Sequence, residues 1–196
     1  MGVGSRLGLF GGAFDPPHNG HVALAKAAID QLGLERLVVL VMAAPGHKDV
    51  ATDVDTRLRL AVAAFGGIPG VEVRREDHAR TIDTVRAGEF ADATFLVGAD
   101  EFADFRDWKD PDELLEHVRL GVATRPGFPR ERLDEVLATL RRPDRVTFFD
   151  IEPVDVASRE LRRRAAAGES IDADVPPPVA SVVRSLGLYR RDGGLH

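Results

Sequence analysis

Apolar residues cluster in six short runs, at 7–10, 37–42, 71–73, 94–97, 120–123 and 146–149. Between them, at about 20–32, 54–65, 111–118, 129–141, 157–167 and 176–186, apolar positions return at helical spacing with polar residues filling the other face. Runs this short, bounded by Gly, Pro and Asp, read as strands buried on both faces. Strands that alternate with helices call for right-handed parallel β-α-β units with helices on both sides of the sheet. The pattern therefore predicts an α/β fold with a doubly wound parallel sheet in a single domain. Ligands of such sheets sit beyond the carboxyl ends of the strands, where strand order reverses. That directs attention to the loops at 11–17, 43–53, 98–107 and 124–129.

Composition narrows the classes. The chain has 196 residues, 44% of them hydrophobic, enough for one self-supporting core. The domain is expected over residues 1–190, with a C-terminal helical segment from about 155; 191–196 reads as a frayed tail. With no cysteine, disulfides and thiolate chemistry are excluded. A net charge of −6 argues against broad contact with a nucleic-acid backbone. No apolar run is long enough to span a membrane and no signal-peptide pattern is present, so a cytoplasmic protein is expected. A homo-oligomer stays open, although no apolar exposed stripe announces an interface. Only three of the 26 basic residues are lysines, Lys26, Lys48 and Lys109, which makes a lysine in a loop more informative than usual.

The densest chemistry follows the first strand: Gly11-Gly12-Ala13-Phe14-Asp15-Pro16-Pro17-His18-Asn19-Gly20-His21. The glycines tolerate positive φ and let a ligand approach the backbone. Pro16 and Pro17 fix the chain ahead of a helix whose first amides form an anion site. His18 and His21, three apart in the first turn, project from one face and can grip one phosphate together. As isolated residues they could equally be surface histidines, or join Asp15 around a metal. The dinucleotide glycine fingerprint and the Walker lysine are both absent, so redox-cofactor and kinase readings lose their support.

His18-Asn19-Gly20-His21 resembles the His-x-Gly-His mark of the nucleotidyltransferase superfamily, and the longer stretch resembles the bacterial nicotinate-nucleotide adenylyltransferases. Further segments follow in order. Pro45-Gly46-His47-Lys48 is similar to the family's Pro-Pro-His-Lys loop, although on spacing alone His47 and Lys48 could be solvated loop residues. Arg80-Thr81-Ile82-Asp83-Thr84 is similar to its Tyr-Thr-x-Asp-Thr segment with the tyrosine replaced; taken bare, it reads as the cap and first turn of a short helix. Phe95-Leu96-Val97-Gly98-Ala99-Asp100 with Trp108 downstream matches the family's strand, Gly-x-Asp and tryptophan, where core packing is the bland alternative for Trp108. Thr124-Arg125-Pro126-Gly127 is similar to its Arg-Pro-Gly. Val156-Ala157-Ser158-Arg159-Glu160-Leu161-Arg162 aligns with Ile-Ser-Ser-Thr-x-Ile-Arg, keeping Ser158 and Arg162; without the resemblance Arg162 belongs to a solvated arginine run.

The resemblance spans residues 6–190 and implies a Rossmann-like nucleotidyltransferase of NAD biosynthesis. Such an enzyme joins ATP to nicotinate mononucleotide, giving nicotinate adenine dinucleotide and pyrophosphate, with Mg²⁺ carried by ATP. It implies catalytic roles for His18, His21 and Arg162. ATP would be bound by Gly11, Gly12, Ala13, Phe14, His18, His21, Gly98, Asp100, Ser158 (as an N-cap), Arg159 and Arg162. The mononucleotide would be bound by Asp15, His47, Lys48, Thr81, Thr84, Trp108 and Arg125. Two rivals remain at this level: the same transfer to nicotinamide mononucleotide or another phosphate acceptor such as phosphopantetheine, and a nucleotide-binding regulator without turnover, suggested by Ala157, Arg159 and the missing tyrosine.

Overall fold

The computed structural model describes residues 6–46 and 49–190. Each apolar run becomes a strand: β1 (Leu7–Gly12), β2 (Arg36–Met42), β3 (Val71–Glu76), β4 (Thr94–Gly98), β5 (Arg119–Thr124) and β6 (Val146–Asp150). They form one parallel sheet in the order β3-β2-β1-β4-β5-β6. Strand order reverses between β1 and β4, so the crevice beyond Gly12 and Gly98 is where a ligand is expected. The central strands lie under helices on both faces, which is why β2 reads as an unbroken Leu-Val-Val-Leu-Val run. Edge strand β3 instead carries Glu72, Arg74 and Arg75, charges that discourage pairing with another chain.

The helices are α1 (Asn19–Gln31), α2 (Val54–Phe65), α3 (Thr81–Arg86), α4 (Ala99–Ala103), α5 (Pro111–His117), α6 (Arg130–Thr139), α7 (Ser158–Ala166) and α8 (Pro177–Ser185). Period-2 alternation divides the core. Leu9, Val38, Leu40, Phe95, Val97, Leu120 and Val122 face α3 to α6, while Phe10, Val39, Val41, Leu96 and Ala123 face α1 and α2. A third cluster, with Leu60 of α2, Leu161, Val175, Val179 and Val183, seats α7 and α8 on α2.

Two helices depart from the expected pattern. The segment 98–107, expected as a loop, is α4 followed by a 3-10 turn at Phe105–Asp107. Five residues are too few to show helical periodicity; Phe102 and Phe105, both fully buried, drive it into the core. The short helix at Thr81 is present as α3, but its N-cap is Arg80 and Thr81 is its first helical residue.

Candidate active site

β1 runs on through Gly11 and Gly12, and neither glycine has positive φ; that conformation falls on Phe14, at φ 52°. The tolerance of positive φ that the two glycines offer is thus used at neither of them. Gly12 is required for space: a Cβ there would lie 2.8 Å from the Phe14 ring. Phe14, 2% exposed, packs edge-on against Phe10 and Phe65 at ring-centroid distances of 5.4 Å each and against His21 at 5.2 Å. Its side chain therefore builds the floor of the loop.

His18 is the N-cap of α1 and His21 its third residue, so the helical turn stacks their rings, with centroids 3.7 Å apart. The His18 amide donates to His21 Nδ1 at 3.2 Å. A ring nitrogen that accepts carries no proton, so His21 bears its hydrogen on Nε2 and presents a donor at that edge. His18 is 9% exposed, and its Nδ1 is buried without a hydrogen-bond partner. Gly20 is small for this reason, because a Cβ there would stand 3.1 Å from His18 Nδ1. The helix start is less open than the sequence suggests. Asn19 N donates to Asp174 O at 2.9 Å and Asn19 Nδ2 to Ala173 O at 3.0 Å, so the 173–174 segment takes the first amide.

Burial pushes the His18 pKa down to about 4 from 6.5, with the Asp174 carboxylate opposing the shift. Between those values the unfolded chain takes up a proton that the folded chain refuses. The stability contributed by neutral His18 is therefore complete above about pH 6.5 and is lost as pH falls toward 4. The full shift corresponds to roughly 3 kcal/mol. Urea midpoints measured from pH 7 to 4 should fall more steeply for the wild type than for His18→Gln, which has no such proton to exchange; parallel curves would contradict this.

Behind the histidines lies a hub that the sequence did not reveal. Asp15 is 1% exposed. Its Oδ2 accepts from the amides of Ala51 and Thr52, and its Oδ1 accepts from Thr52 Oγ1 at 2.8 Å and Tyr189 Oη at 2.7 Å. Arg57, also 1% exposed, donates to the carbonyls of Ala13 (3.1 Å), Met42 (2.6 Å), Ala43 (3.1 Å) and Thr52 (3.3 Å), fastening the loops after β1 and β2 together. On α7, Ser158 Oγ donates to Pro16 O at 2.8 Å, and Arg162 donates to Asp15 O (2.8 Å) and Asp49 O (3.1 Å). The N-cap of α7 is Ala157, one position before the expected Ser158, which is instead the first helical residue; its hydroxyl reaches across to the loop instead of capping its own helix. Arg159 is exposed beside it. Arg57 sits in a helix whose pattern makes it look as solvated as Arg59, so only the fold separates them.

Across the switch point, Gly98 caps α4, and Asp100 lies 3.5 Å from Arg125. These two, with Gly20, Gly98, Ala123 and Val154, border a cleft of about 110 Å³ that opens into a shallower depression of about 410 Å³ past Gly127 and Phe128. Arg125, expected with the mononucleotide residues, shares the cleft of Asp100. Trp108 is half-buried against the core, edge-on to Phe95 at 6.2 Å, and the Phe95 ring in turn reaches within 3.2 Å of where a Gly11 Cβ would stand. Thr84 is 3% exposed and its Oγ1 turns back to Arg80 O at 3.4 Å, while Thr81 is half-buried. The structure thus gathers Gly11, Gly12, Ala13, Phe14, Asp15, His18, His21, Ser158 and Arg162 at the end of β1, with Gly98, Asp100 and Arg125 across the crevice. His47 and Lys48 lie outside the described residues.

A sequence profile described as cytidylyltransferase-like matches residues 9–164. The chain is 37% identical to a probable nicotinate-nucleotide adenylyltransferase of Rubrobacter xylanophilus, over 95% of this chain and 93% of that one. It is 35% identical to one from Bordetella avium, over 94% and 98%. Among solved structures, a Plasmodium falciparum nicotinic acid mononucleotide adenylyltransferase complexed with NaAD superposes with a TM-score of 0.73 at 15% identity, covering 93% of this chain and 96% of that one. That likeness concerns the fold. The profile places the chain among cytidylyltransferase-like proteins, and the full-length relatives narrow that assignment: the chain belongs to the nicotinate-nucleotide adenylyltransferase family.

Proposed function

We propose that this protein transfers the adenylyl group of ATP to nicotinate mononucleotide, forming nicotinate adenine dinucleotide and pyrophosphate. The observation that carries the reading is the stacked His18–His21 pair at the start of α1, set beyond β1 at the strand-order reversal with Arg162 anchored beside the same loop. A 5′-phosphate oxygen of the mononucleotide attacks the α-phosphorus of ATP in line. The new P–O bond forms as the bond to the β-phosphate oxygen breaks, and pyrophosphate leaves with that electron pair. The chemistry asks for positioning and charge neutralisation, with no covalent intermediate on the protein.

In this scheme His21 donates from Nε2 to an α-phosphate oxygen, and His18, stacked on it, orients the ATP phosphates. Arg162 uses two of its donors on carbonyls and has N–H groups left for the departing pyrophosphate. Trp108 offers an aromatic face to the pyridine ring, and Asp100 an acceptor for a ribose hydroxyl. The roles of Thr81, Thr84, Arg125, His47, Lys48 and Arg159 follow from the family resemblance. Transfer from ATP calls for a divalent ion. A hard cation can be held by phosphate oxygens with few protein carboxylates, so Mg²⁺ would enter with the triphosphate as part of the substrate.

Pyrophosphate release from Mg-ATP tests the reading directly. With nicotinate mononucleotide, release is expected to be fast; with nicotinamide mononucleotide, at least tenfold slower, as expected when a site built to pair a charged group is offered a neutral one. Equal rates would reassign the acceptor, and silence with both would turn the reading toward a nucleotide-binding regulator.

A further inference from the structure

The Asp15 carboxylate is buried among donors from segments far apart in sequence, and the most distant is Tyr189, 174 positions away. Tyr189 follows α8 and holds φ at 66°, a left-handed conformation that a tyrosine adopts only when its surroundings dictate it. Its ring packs into the cluster that joins α8 to α2, with Leu188 beside it. Its hydroxyl emerges from that cluster to meet Asp15 Oδ1 at 2.7 Å, an oxygen it shares with Thr52 Oγ1. Burial and the neighbouring Asp15 carboxylate push the Tyr189 pKa well up, so the phenol stays a donor.

Asp15 itself joins three segments that lie around the crevice. Its carboxylate fixes the loop after β2 through Ala51 and Thr52, its carbonyl receives Arg162 of α7, and it leads through Pro16 and Pro17 into His18. We propose that Tyr189 is a positioning residue for adenylyl transfer: through the Asp15 carboxylate its hydroxyl sets the placement of the His18–His21 turn relative to Arg162 and the 49–52 loop. This rests on the transfer reaction proposed above. Tyr189 touches no substrate; it fixes the mutual geometry of groups that do. Loss of that geometry spoils in-line alignment more than it weakens either substrate, so the effect falls on kcat and spares KM.

The test uses the full chain and steady-state pyrophosphate release well below the melting temperature. Tyr189→Phe keeps the ring in its cluster and removes only the donor. It is expected to lower kcat about tenfold, with both KM values within about threefold of wild type, since small misplacements act on the transition state. Thr52→Val, which removes the other hydroxyl on Oδ1, is expected to act in the same direction, and Thr52→Ser to restore the rate. A kcat within twofold of wild type in Tyr189→Phe, or a loss confined to KM, would overturn the proposal. If Tyr189→Phe fails to fold, the Thr52 pair decides it: a slow valine variant beside a normal serine variant supports the hub, and two normal variants overturn it. A wild type that releases no pyrophosphate would overturn the transfer reading and this proposal with it, whereas an active wild type with indifferent variants overturns the positioning role alone.

Discussion

His21→Ala is expected to lower kcat by on the order of 10² to 10³, the usual cost of removing one preorganised donor to a developing oxyanion. The expectation follows from where the ring's proton sits. With Nδ1 accepting from the His18 amide, the imidazole is locked as the Nε2–H tautomer, and stacking on His18 at 3.7 Å fixes its plane. Such a donor strengthens as charge accumulates on the α-phosphate oxygens, so its removal raises the barrier with little change in ground-state binding. The substitution also takes the acceptor from the His18 amide and removes ring contacts with His18, Phe14 and Phe10, at a stability cost of about 1–3 kcal/mol. Single-turnover measurement of nicotinate adenine dinucleotide formation, beside ATP affinity, separates the two effects. Near-normal turnover in a folded His21→Ala protein would be incompatible with the mechanism proposed here.

Arg57→Met is expected to cost about 3–5 kcal/mol of folding stability, the range for removing one member of a buried charged network. The guanidinium donates to four carbonyls from two loops, and it stands near the buried carboxylate of Asp15. Methionine matches the stem and leaves those carbonyls bare, and a buried polar group without a partner costs far more than a made hydrogen bond gives. Arg57→Lys should recover little, because one ammonium cannot reproduce the planar fork. Urea unfolding of both variants checks this. Combining Arg57→Met with Asp15→Asn should be less than additive, since the second change removes the charge that the first exposes. A loss below about 1 kcal/mol in Arg57→Met would mean that water reaches these carbonyls in the folded chain.

The contrast between His21 and Arg57 marks what a sequence can disclose. The strands were legible because runs such as 37–42 are buried on both faces and carry no polar position. The pairing of His18 with His21 was legible because Gly12, the two prolines and the i, i+3 spacing lie within eleven residues, whereas the groups that hold this loop in place do not. Arg57, Thr52 and Tyr189 were not: Arg57 bonds carbonyls 5 to 44 positions away, Thr52 and Tyr189 bond Asp15 at separations of 37 and 174, and no local pattern announces these contacts. Arg125 illustrates the intermediate case. Its place at the end of β5 was evident, but its neighbour was not, because only the pairing of β5 with β4 brings it beside Asp100. Helix α4 was hidden for want of length, and the buried Phe102 within it and Phe105 just after it read equally well as loop anchors.

Because a ribosome delivers residue 15 long before residue 189, the loop after β1 leaves the tunnel with its carboxylate short of one donor and remains so until Tyr189 emerges. Every strand of the sheet precedes α8 in sequence, so the sheet can assemble before that tether exists. Tethering of the loop that leads into His18 therefore waits on synthesis through residue 189, and a fragment ending between His21 and Tyr189 carries both histidines without that contact.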